Sequence, residues 1–521
     1  MLSTNLFTKR CPWLFFLIVF SFADKKPIKA QAPQKLGITK IAGAKPRNVI
    51  FILSDNHRYD FMGFTGKVPG LKTPNLDRIA NEGAVFQNAF VTTALCSPSR
   101  ASILTGLYAH THTVVDNDAP APDNLVFFPQ YLQAAGYQTG FFGKWHMGGD
   151  NPDPRPGFNR WVSFRGQGVY YNPEINIDGK QVKYKDSSYI TEVLTDLSLD
   201  WLKNRDKEKP FFMYLSHKAV HAEFQPARRD KGTYKNIQIQ YPVSMFSTET
   251  PSSRKFTKGK RADTSRFTFN NADIPRWVRE QRYSWHGVDF MYHGATDFDQ
   301  FYQDYLETLL GIDNSVGKVL DYLKENNLDE ETLVIYMGDN GFSFGEHGLI
   351  DKRHAYEESM RVPLLARCPE VIKPGTKVKE MVLNFDIAPS ILEMAGIKTP
   401  EKMQGTSFVS LLKGEKVPWR NKVFYEYYWE NAFPQTPTQY AVHTDQYKFI
   451  RSIGVWDIDQ LYDIQKDPYE VNNLIRKPEF QSIAKDLNSQ LWTWLENTNG
   501  TFIPMKRINN KKNDHLYRGT W

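Results

Sequence analysis

The length, composition and charge of the chain exclude several classes of protein. With 521 residues, 41% of them hydrophobic, the sequence is long enough for one large core and a smaller appended domain, so disorder of the whole chain is excluded. The formal charge of +7 falls to +5 without Lys9 and Arg10 of the N-terminal segment. This excess is too small to indicate nucleic-acid binding, but it is compatible with an acidic substrate.

The N-terminal segment has the pattern of a secretory signal peptide. Lys9 and Arg10 precede an apolar stretch, residues 13–22, and small residues around Ala23 form a cleavage site. The stretch is shorter than the roughly 20 residues of a membrane-spanning helix, which predicts no stable membrane insertion. We therefore expect a signal peptide at 1–23, a polar leader at 24–45 and a secreted or periplasmic protein, with a retained N-terminal anchor as the alternative.

Short apolar runs alternate with helical patterns along the next 350 residues or so. Four of these runs have the length of strands, and most are continuously apolar at the centre, as strands buried on both faces are: 48–53, 138–142, 211–215 and 332–337. The clearest helical stripe spans 305–323 and leads into the last of them. Strands and helices in alternation predict an α/β fold with a doubly wound, mostly parallel sheet.

The pattern changes near residue 398. Aromatic and β-branched runs at 423–429 and 439–450 predict a smaller antiparallel sheet, followed by a loop at 463–474 and a closing helix at 479–495. We therefore expect a catalytic α/β domain at 46–397 and a C-terminal α+β subdomain at 398–521. Within the first, the basic and aromatic stretch 223–293 lacks a period and is predicted to be an insertion near the substrate mouth, with irregular surface cover as the alternative.

Polar residues follow each of the four predicted strands. They are Ser54-Asp55-Asn56-His57, Gly143-Lys144-Trp145-His146, Ser216-His217 with the nearby His221, and Gly338-Asp339-Asn340-Gly341. In an open α/β sheet, ligands bind beyond the carboxyl ends of the strands. The two Asp-Asn pairs supply oxygen ligands of the type that Ca²⁺ or Mg²⁺ prefers. One such pair is most often a turn or a helix cap, but its recurrence at two strand ends favours a metal site.

Cys96 needs a separate explanation. Cys11 lies in the predicted signal, so Cys96 and Cys368 remain, and an exported protein of this size with two cysteines does not depend on disulfides. A bridge between them is the simple alternative. Cys96 opens a segment, 97–107, that passes from a loop into a helix, and a helix N-terminus suits anions. A thiolate nucleophile is possible, but the surrounding Asp, Asn, Lys and Arg residues indicate a hard cation and an oxyanion.

Several motifs together resemble the type I, formylglycine-dependent sulfatases, and bacterial secreted polysaccharide sulfatases among them. In chain order they are Cys96-Ser97-Pro98-Ser99-Arg100 with Thr105-Gly106, Gly143-Lys144-Trp145-His146, Gly338-Asp339-Asn340-Gly341, Asp351-Lys352-Arg353 with Tyr356-Glu357-Glu358-Ser359, and Leu461-Tyr462-Asp463 with Asp467-Pro468. The resemblance covers about residues 45–500 and implies an alkaline-phosphatase-like version of the predicted fold. It also implies that a formylglycine-generating or anaerobic sulfatase-maturing enzyme oxidises Cys96 to formylglycine.

The resemblance implies a role for each matching position. The metal, Ca²⁺ with Mg²⁺ as the alternative, would be held by an oxygen of the modified Cys96 and by Asp55, Asn56, Asp339 and Asn340. The catalytic groups would be Arg100 and Lys144 at the hydrate and sulfate charges, His146 facing the nucleophile, and His221 with Lys352 at the leaving-group oxygen. His217, four residues earlier, is the alternative to His221. Position 56 departs from the pattern, because many members have a second Asp there, and the site loses one negative charge.

These residues predict an enzyme that hydrolyses sulfate monoesters. The 14% aromatic content and the basic insertion suit a sulfated polysaccharide or oligosaccharide, and an algal polymer such as ulvan or carrageenan is favoured. Three alternatives stay open: a glycosaminoglycan or amino-sugar sulfatase, a phosphate or phosphonate ester hydrolase of the same superfamily, and an inactive glycan-binding protein.

Overall fold

The computed structural model describes residues 36–147, 151–246, 270–290, 292 and 297–502. The predicted signal peptide and the first part of the predicted leader lie outside them. The strands are β1 Asn48–Ser54, β2 Ala84–Phe90, β3 Gln138–Gly143, β4 Arg160–Ser163, β5 Glu174–Ile177, β6 Lys180–Lys183, β7 Phe211–Ser216, β8 Thr332–Gly338, β9 Ser343–Phe344, β10 Ile350–Asp351, β11 Leu364–Arg367, β12 Thr376–Leu383, β13 Lys422–Tyr427, β14 Thr438–Thr444, β15 Tyr447–Ile453 and β16 Gln460–Asp463.

The α-helices of the described residues alternate with these strands through the first part of the chain. They are α1 Pro74–Glu82, α2 Cys96–Thr105, α3 Ala109–His112, α4 Phe128–Ala134, α5 Ile190–Asn204, α6 Arg276–Gln281, α7 Phe298–Glu325, α8 Glu357–Met360, α9 Ile387–Met394, α10 Val409–Leu412 and α11 Gln481–Asn497. No helix within the described ranges is both long enough and apolar enough to cross a membrane.

A ten-stranded sheet forms the centre of the fold, in the order β12-β2-β11-β8-β1-β7-β3-β4-β5-β6. The run from β8 through β1, β7 and β3 to β4 is parallel, whereas β11 is antiparallel to both of its neighbours and β5 and β6 form an antiparallel edge. The predicted α/β class with a mostly parallel sheet is confirmed. The four predicted strands are the adjacent strands β8, β1, β7 and β3.

The carboxyl ends of these four strands are level with one another. Ser54 pairs with Gly338, Leu53 pairs with Ser216, and Gly143 pairs with Ser216 in turn. The polar residues that follow the strands therefore emerge at the same edge of the sheet, as the sequence predicts.

The apolar runs form central strands because helices cover both faces of the sheet. In β1, Val49, Phe51 and Leu53 belong to one hydrophobic cluster, whereas Ile50 and Ile52 belong to a second cluster on the opposite face. Successive strand side chains point to opposite faces, so a strand buried on both sides needs a continuous apolar run.

The predicted helical stripe at 305–323 lies within α7, which packs against α1 and α5. Asp297 caps the helix, because its side chain accepts hydrogen bonds from the backbone N–H groups of Asp299 and Gln300 at 3.1 and 3.3 Å. The buried stripe joins the second hydrophobic cluster.

Truncating the α7 stripe is expected to destabilise the fold. Ile312 is fully buried, so Ile312→Ala should lower the free energy of unfolding by about 2–5 kcal/mol through lost burial and an added cavity. Lys318→Ala removes an exposed residue of the same helix and should change it by less than about 0.5 kcal/mol. Urea denaturation of the two variants measures the difference; equal midpoints would contradict the role of the stripe.

A second, antiparallel sheet, β13-β14-β15-β16, and helix α11 confirm the elements predicted for the C-terminal part. The run at 439–450 spans two strands, β14 and β15, because the Thr444 hydroxyl accepts a hydrogen bond from Tyr447 N at 2.9 Å and closes a turn. This sheet contacts the first, since Glu426 N donates to Thr92 O at 2.9 Å. The boundary at 397/398 stays a prediction.

Part of the predicted insertion packs against the loop that carries Lys352. Ile350 N donates to His286 O at 2.8 Å, and Val288 N donates to Gly348 O at 3.0 Å. Residues 247–269, 291 and 293 of the insertion lie outside the described residues.

Candidate active site

The two Asp-Asn pairs meet where β1 and β8 end. Asp55, Asn56, Asp339 and Asn340 are all fully buried. Asn56 N donates to Asp339 Oδ1 at 3.0 Å, and Asp339 N donates to Ser54 O at 2.9 Å. The structure thus brings together the four predicted metal ligands that come from the strand ends.

The amides of this group leave two buried polar atoms without a partner in the described part of the chain, Asn56 Nδ2 and Asn340 Oδ1. Asn340 Nδ2 donates to Asn56 Oδ1 at 2.7 Å, but Asn340 Oδ1 is buried and has no hydrogen-bond partner in the described part of the chain. Buried polar atoms are normally satisfied, so an orphaned oxygen beside two carboxylates fits a cation. The donor set is oxygen-rich, which suits Ca²⁺ or Mg²⁺.

Cys96 is the first residue of α2 and is fully buried next to this group. Its Sγ lies 3.5 Å from Asp55 Oδ1 and 3.3 Å from Lys352 Nζ. Burial, reinforced by the charge of Asp55, raises the pKa of the Cys96 thiol to about 11. The unmodified thiol is therefore protonated at neutral pH, which disfavours a thiolate nucleophile.

The alternative of a Cys96–Cys368 bridge is wrong. Both cysteines are free. Cys368 follows β11, whose direction is opposite to that of β8, so it lies at the other edge of the sheet, where its Sγ is 3.7 Å from Glu330 O.

Arg100 lies one helical turn after Cys96 and joins the two carboxylates. Its Nε donates to Asp339 Oδ2 at 2.9 Å, its Nη2 to Asp55 Oδ2 at 3.1 Å, and its Nη1 to Ser216 Oγ at 2.7 Å. The side chain is 1% exposed, so its position is determined by these contacts. Arg100 holds Asp55 and Asp339 in a defined orientation.

Lys144 follows Gly143, the last residue of β3, which lies at a position that only glycine can occupy. Gly143 has a φ of 128°, and a Cβ there would lie 1.7 Å from Ser216 O. The close approach lets Lys144 N donate to Ser216 O at 2.8 Å, and the Lys144 ammonium then pairs with Asp55.

His146 lies on the same loop as Lys144 and contacts the start of α2. Its Nδ1 is 3.2 Å from Ser97 Oγ and its Nε2 is 2.9 Å from Gln167 Nε2. Gln167 also accepts a hydrogen bond from Lys144 Nζ at 2.5 Å. Burial and the charge of Lys144 lower the pKa of His146 well below its usual value, which makes the imidazole neutral.

The structure distinguishes between the two candidate histidines after β7. Ligand atoms of His221, Asp55 and Cys96 lie within 4.8 Å of one another. His217 points elsewhere, and its Nε2 is 3.0 Å from Ser315 Oγ of α7. Burial and the charge of Lys144 lower the pKa of His221.

Lys352 follows the short strand β10. Its Nζ donates to Asn56 Oδ1 at 2.6 Å and also contacts Cys96, as described above. Burial lowers the pKa of Lys352, but the negative charges nearby, Asp351 and Asp55 among them, outweigh it and raise the pKa. Lys352 is therefore a stable cation.

Cations outnumber the carboxylates at this edge. Arg100, Lys144 and Lys352 surround Asp55 and Asp339. Burial raises the pKa of Asp55, but the nearby cations outweigh this and hold it well below its usual value. Such a site suits an oxyanion such as a sulfate ester.

Two residues of this site were missed at the sequence level. Gln167 connects Lys144 with His146, but it comes from a loop after β4 and belongs to no motif. Lys218 lines a pocket together with His221. Its position in the sequence, between the end of β7 and His221, could have indicated that it belongs to the site.

Comparison with protein families identifies the chain. A family model described as sulfatase matches residues 47–397. The chain belongs to the sulfatase family. It is therefore a sulfuric ester hydrolase, and the predicted resemblance is confirmed. A second model, described as N-sulphoglucosamine sulphohydrolase, C-terminal, matches residues 345–497 of this sulfatase.

Known relatives cover most of this sulfatase. An N-acetylglucosamine-6-O-sulfatase of Bacteroides thetaiotaomicron is 34% identical over 482 residues, 85% of each chain. An ulvan-active sulfatase of Formosa agariphila is 27% identical over 456 residues, 85% of this chain and 80% of the relative. A solved structure in complex with its substrate, D-glucosamine-2-N,6-O-disulfate, is 31% identical and has a TM-score of 0.75, covering 89% of this chain and 100% of that one.

Proposed function

We propose that this sulfatase removes the 6-O-sulfate of glucosamine or N-acetylglucosamine units in sulfated carbohydrates of the glycosaminoglycan type. Support comes from the N-acetylglucosamine-6-O-sulfatase at 34% identity and from the similar structure that binds a 6-O-sulfated glucosamine. The ulvan-active relative is more distant, at 27% identity. The amino-sugar alternative thus replaces the algal polymer as the preferred substrate.

The observation that supports hydrolysis by a formylglycine nucleophile is the position of Cys96. It starts α2 between Asp55 and Lys352, with His221 in reach, so oxidation to formylglycine would place an aldehyde among metal ligands and cations. The hydrate of that aldehyde supplies the hydroxyl that attacks sulfur.

We assign the metal to the four strand-end residues together with the modified Cys96. Asp55, Asn56, Asp339 and Asn340 would hold Ca²⁺, with Mg²⁺ as the alternative, and Asn340 Oδ1 is the oxygen that lacks another partner. A cation bound by these residues would offset sulfate charge and lower the pKa of a nearby hydroxyl.

The remaining site residues have separate roles in orienting the carboxylates, binding the sulfate and accepting a proton. Arg100 orients Asp55 and Asp339, and Lys144, which pairs with Asp55, would bind a sulfate oxygen. His146, held between Ser97 and Gln167, removes the proton of the second hydroxyl of the hydrate, so that the aldehyde reforms and the sulfate is expelled.

The leaving sugar oxygen faces Lys352 and His221. Lys352 carries a positive charge next to Cys96 and donates a hydrogen bond to that oxygen. Burial and Lys144 keep His221 neutral in the free site, so it would take up a proton once the charge of the bound sulfate offsets Lys144, and then deliver it to the leaving oxygen.

A substrate panel tests the proposed function. The matured enzyme is assayed for free sulfate with N-acetylglucosamine-6-sulfate, ulvan and carrageenan oligosaccharides, and a matched pair of aryl sulfate and aryl phosphate, before and after chelation. We expect the amino-sugar sulfate to be hydrolysed with the highest kcat/KM and chelation to lower it. A preference for the algal oligosaccharides or for aryl phosphate would contradict the proposal.

Replacing His221 is expected to slow the reaction far more than replacing its neighbour. His221→Asn should lower kcat about 100-fold or more, because it removes the proton donor for the leaving oxygen. His217→Asn is the matched control, since His217 contacts Ser315 of α7, and its kcat should stay within about threefold. Steady-state kinetics on one substrate measure both variants; the reverse order would assign the role to His217.

Export and maturation complete the proposal. We propose that residues 1–23 direct secretion or export to the periplasm and that a formylglycine-generating or anaerobic sulfatase-maturing enzyme acts on Cys96. N-terminal sequencing of the exported protein tests the first point, and the mass of the peptide that carries Cys96 tests the second.

A further inference from the structure

A pocket of about 490 Å³ opens beside the nucleophile. Its lining includes His221, which lies close to Cys96, and Gln167, which contacts His146. Lys218, Tyr170 and Tyr171 belong to its wall. The pocket therefore offers space for the sugar that carries the scissile sulfate, because His221 lines the pocket and also lies close to Cys96.

Lys218 lines this pocket and has no carboxylate as an ion-pair partner among the described residues. It is 4% exposed, and within the described residues its ammonium has neither a hydrogen bond nor a carboxylate within 4.0 Å. Its contact is the ring of Tyr170, whose centroid lies 4.6 Å from Nζ. By contrast, Lys144 pairs with Asp55 and Lys352 contacts Asn56 and Cys96.

A buried ammonium without a counterion is costly, and a substrate anion would remove that cost. The Tyr170 hydroxyl donates to His221 O at 2.6 Å, so the ring under Lys218 is held in place. Burial and the charge of Lys144 lower the pKa of Lys218 to about 8, which still leaves it mostly protonated at neutral pH. Glu223 also lines the pocket, but it is exposed and forms no ion pair with Lys218.

We propose that Lys218 determines specificity by binding a second anionic group of the substrate, a sulfate or a carboxylate adjacent to the scissile ester. The inference rests on the proposed function and extends it to substrates with two or more negative charges. Within the described residues Lys218 forms no hydrogen bond or ion pair with Asp55 or Cys96, although both are near enough to raise its pKa, so the second anion would bind next to the scissile sulfate.

Three 6-O-sulfated substrates separate the possible roles of Lys218. The first is N-acetylglucosamine-6-sulfate, which has no second anion. The second is N-sulfated glucosamine-6-sulfate, and the third is a disaccharide in which a uronate carboxylate adjoins N-acetylglucosamine-6-sulfate. We expect Lys218→Gln to lower kcat/KM about 10- to 100-fold for the substrates whose second anion it binds, and less than about threefold for the first.

Two control variants show whether the loss of kcat/KM is caused by removing the positive charge at position 218. Lys218→Arg should restore much of the lost kcat/KM, and Lys413→Gln, at an exposed lysine after α10, should change nothing. The substrate on which the loss appears identifies the anion as sulfate or carboxylate. An equal loss on all three substrates would place Lys218 at the scissile sulfate, and no loss on any would remove it from recognition; either result overturns the inference.

An inhibition assay keeps this test separate from the proposed function. If the wild type hydrolyses an aryl sulfate but none of the three sugars, the proposed function fails. N-sulfoglucosamine and glucuronate are then tested as inhibitors of aryl sulfate hydrolysis. At least about tenfold weaker inhibition of Lys218→Gln by one of them supports an anion site at Lys218, and unchanged inhibition by both overturns it.

Discussion

Replacing Cys96 by alanine is expected to abolish sulfate-ester hydrolysis, with kcat/KM falling at least about 1000-fold. The substitution removes the nucleophile. Arg100 keeps its hydrogen bond to Asp55, and Lys352 keeps its hydrogen bond to Asn56. Release of free sulfate measures the loss, and urea denaturation checks that the variant still folds.

Cys368→Ala is the matched control. Cys368 is also buried and free, but it lies at the opposite edge of the sheet near Glu330, so its loss should leave kcat/KM within about threefold. Wild-type protein made without a maturation enzyme should resemble Cys96→Ala, and the peptide that carries Cys96 should keep the mass of a cysteine. Full activity with an unmodified Cys96 would refute the formylglycine nucleophile.

Cys96→Ser, made in a host without a maturation enzyme, tests the need for two hydroxyl groups. The serine oxygen can bond to sulfur as the sugar oxygen leaves with a proton. It has no second hydroxyl from which His146 could take a proton to expel the sulfate. We expect a stable sulfate ester and an intact mass that is higher by one SO₃ group. Sustained turnover by this variant would contradict the role of the second hydroxyl.

The central strands and the site edge could be predicted because their signals are local. A strand covered on both faces must be apolar throughout, as in β1, and the polar residues after it mark the carboxyl edge. The predicted ends of β1, β3, β7 and β8 are each within one residue of the observed ends.

Other features depend on contacts between distant parts of the chain. The direction of β11 separates Cys368 from Cys96, and no pattern near either cysteine encodes it. Similarly, His217 and His221 lie on one segment, and it is the contact of His217 with Ser315, about 100 residues away, that distinguishes them. Residues that belong to no motif, such as Gln167, become visible only when the loops meet.

Asp339→Asn is expected to lower the affinity for Ca²⁺ about 100-fold, and the activity at low calcium with it. The change keeps the shape of the side chain but removes one of the two carboxylates at the strand ends. Asp339 also accepts hydrogen bonds from Arg100 and from Asn56 N, so the ligand group loses order as well as charge. Calorimetric titration measures the affinity, and excess Ca²⁺ should restore part of the activity.

Asp351→Asn is the matched control for this loss. Asp351 is equally buried and close to Lys352, but its carboxylate pairs with Arg353 and His286 and does not belong to the four-residue group. Its replacement should leave calcium affinity within about threefold, whatever it does to turnover. Equal losses of calcium affinity in both variants would mean that the affinity depends on the overall charge of the region. The assignment of Asp339 as a ligand would then fail.

Asn56→Asp changes the same site in the opposite direction. The added carboxylate supplies the negative charge that the amide lacks, so calcium affinity should rise about tenfold or more. Lys352 opposes this gain, because its ammonium lies 2.6 Å from Asn56 Oδ1 and would pair with the new charge. Titration with Ca²⁺ and Mg²⁺ decides the balance: a rise supports position 56 as a ligand, whereas a fall means that Lys352 holds the carboxylate away from the metal.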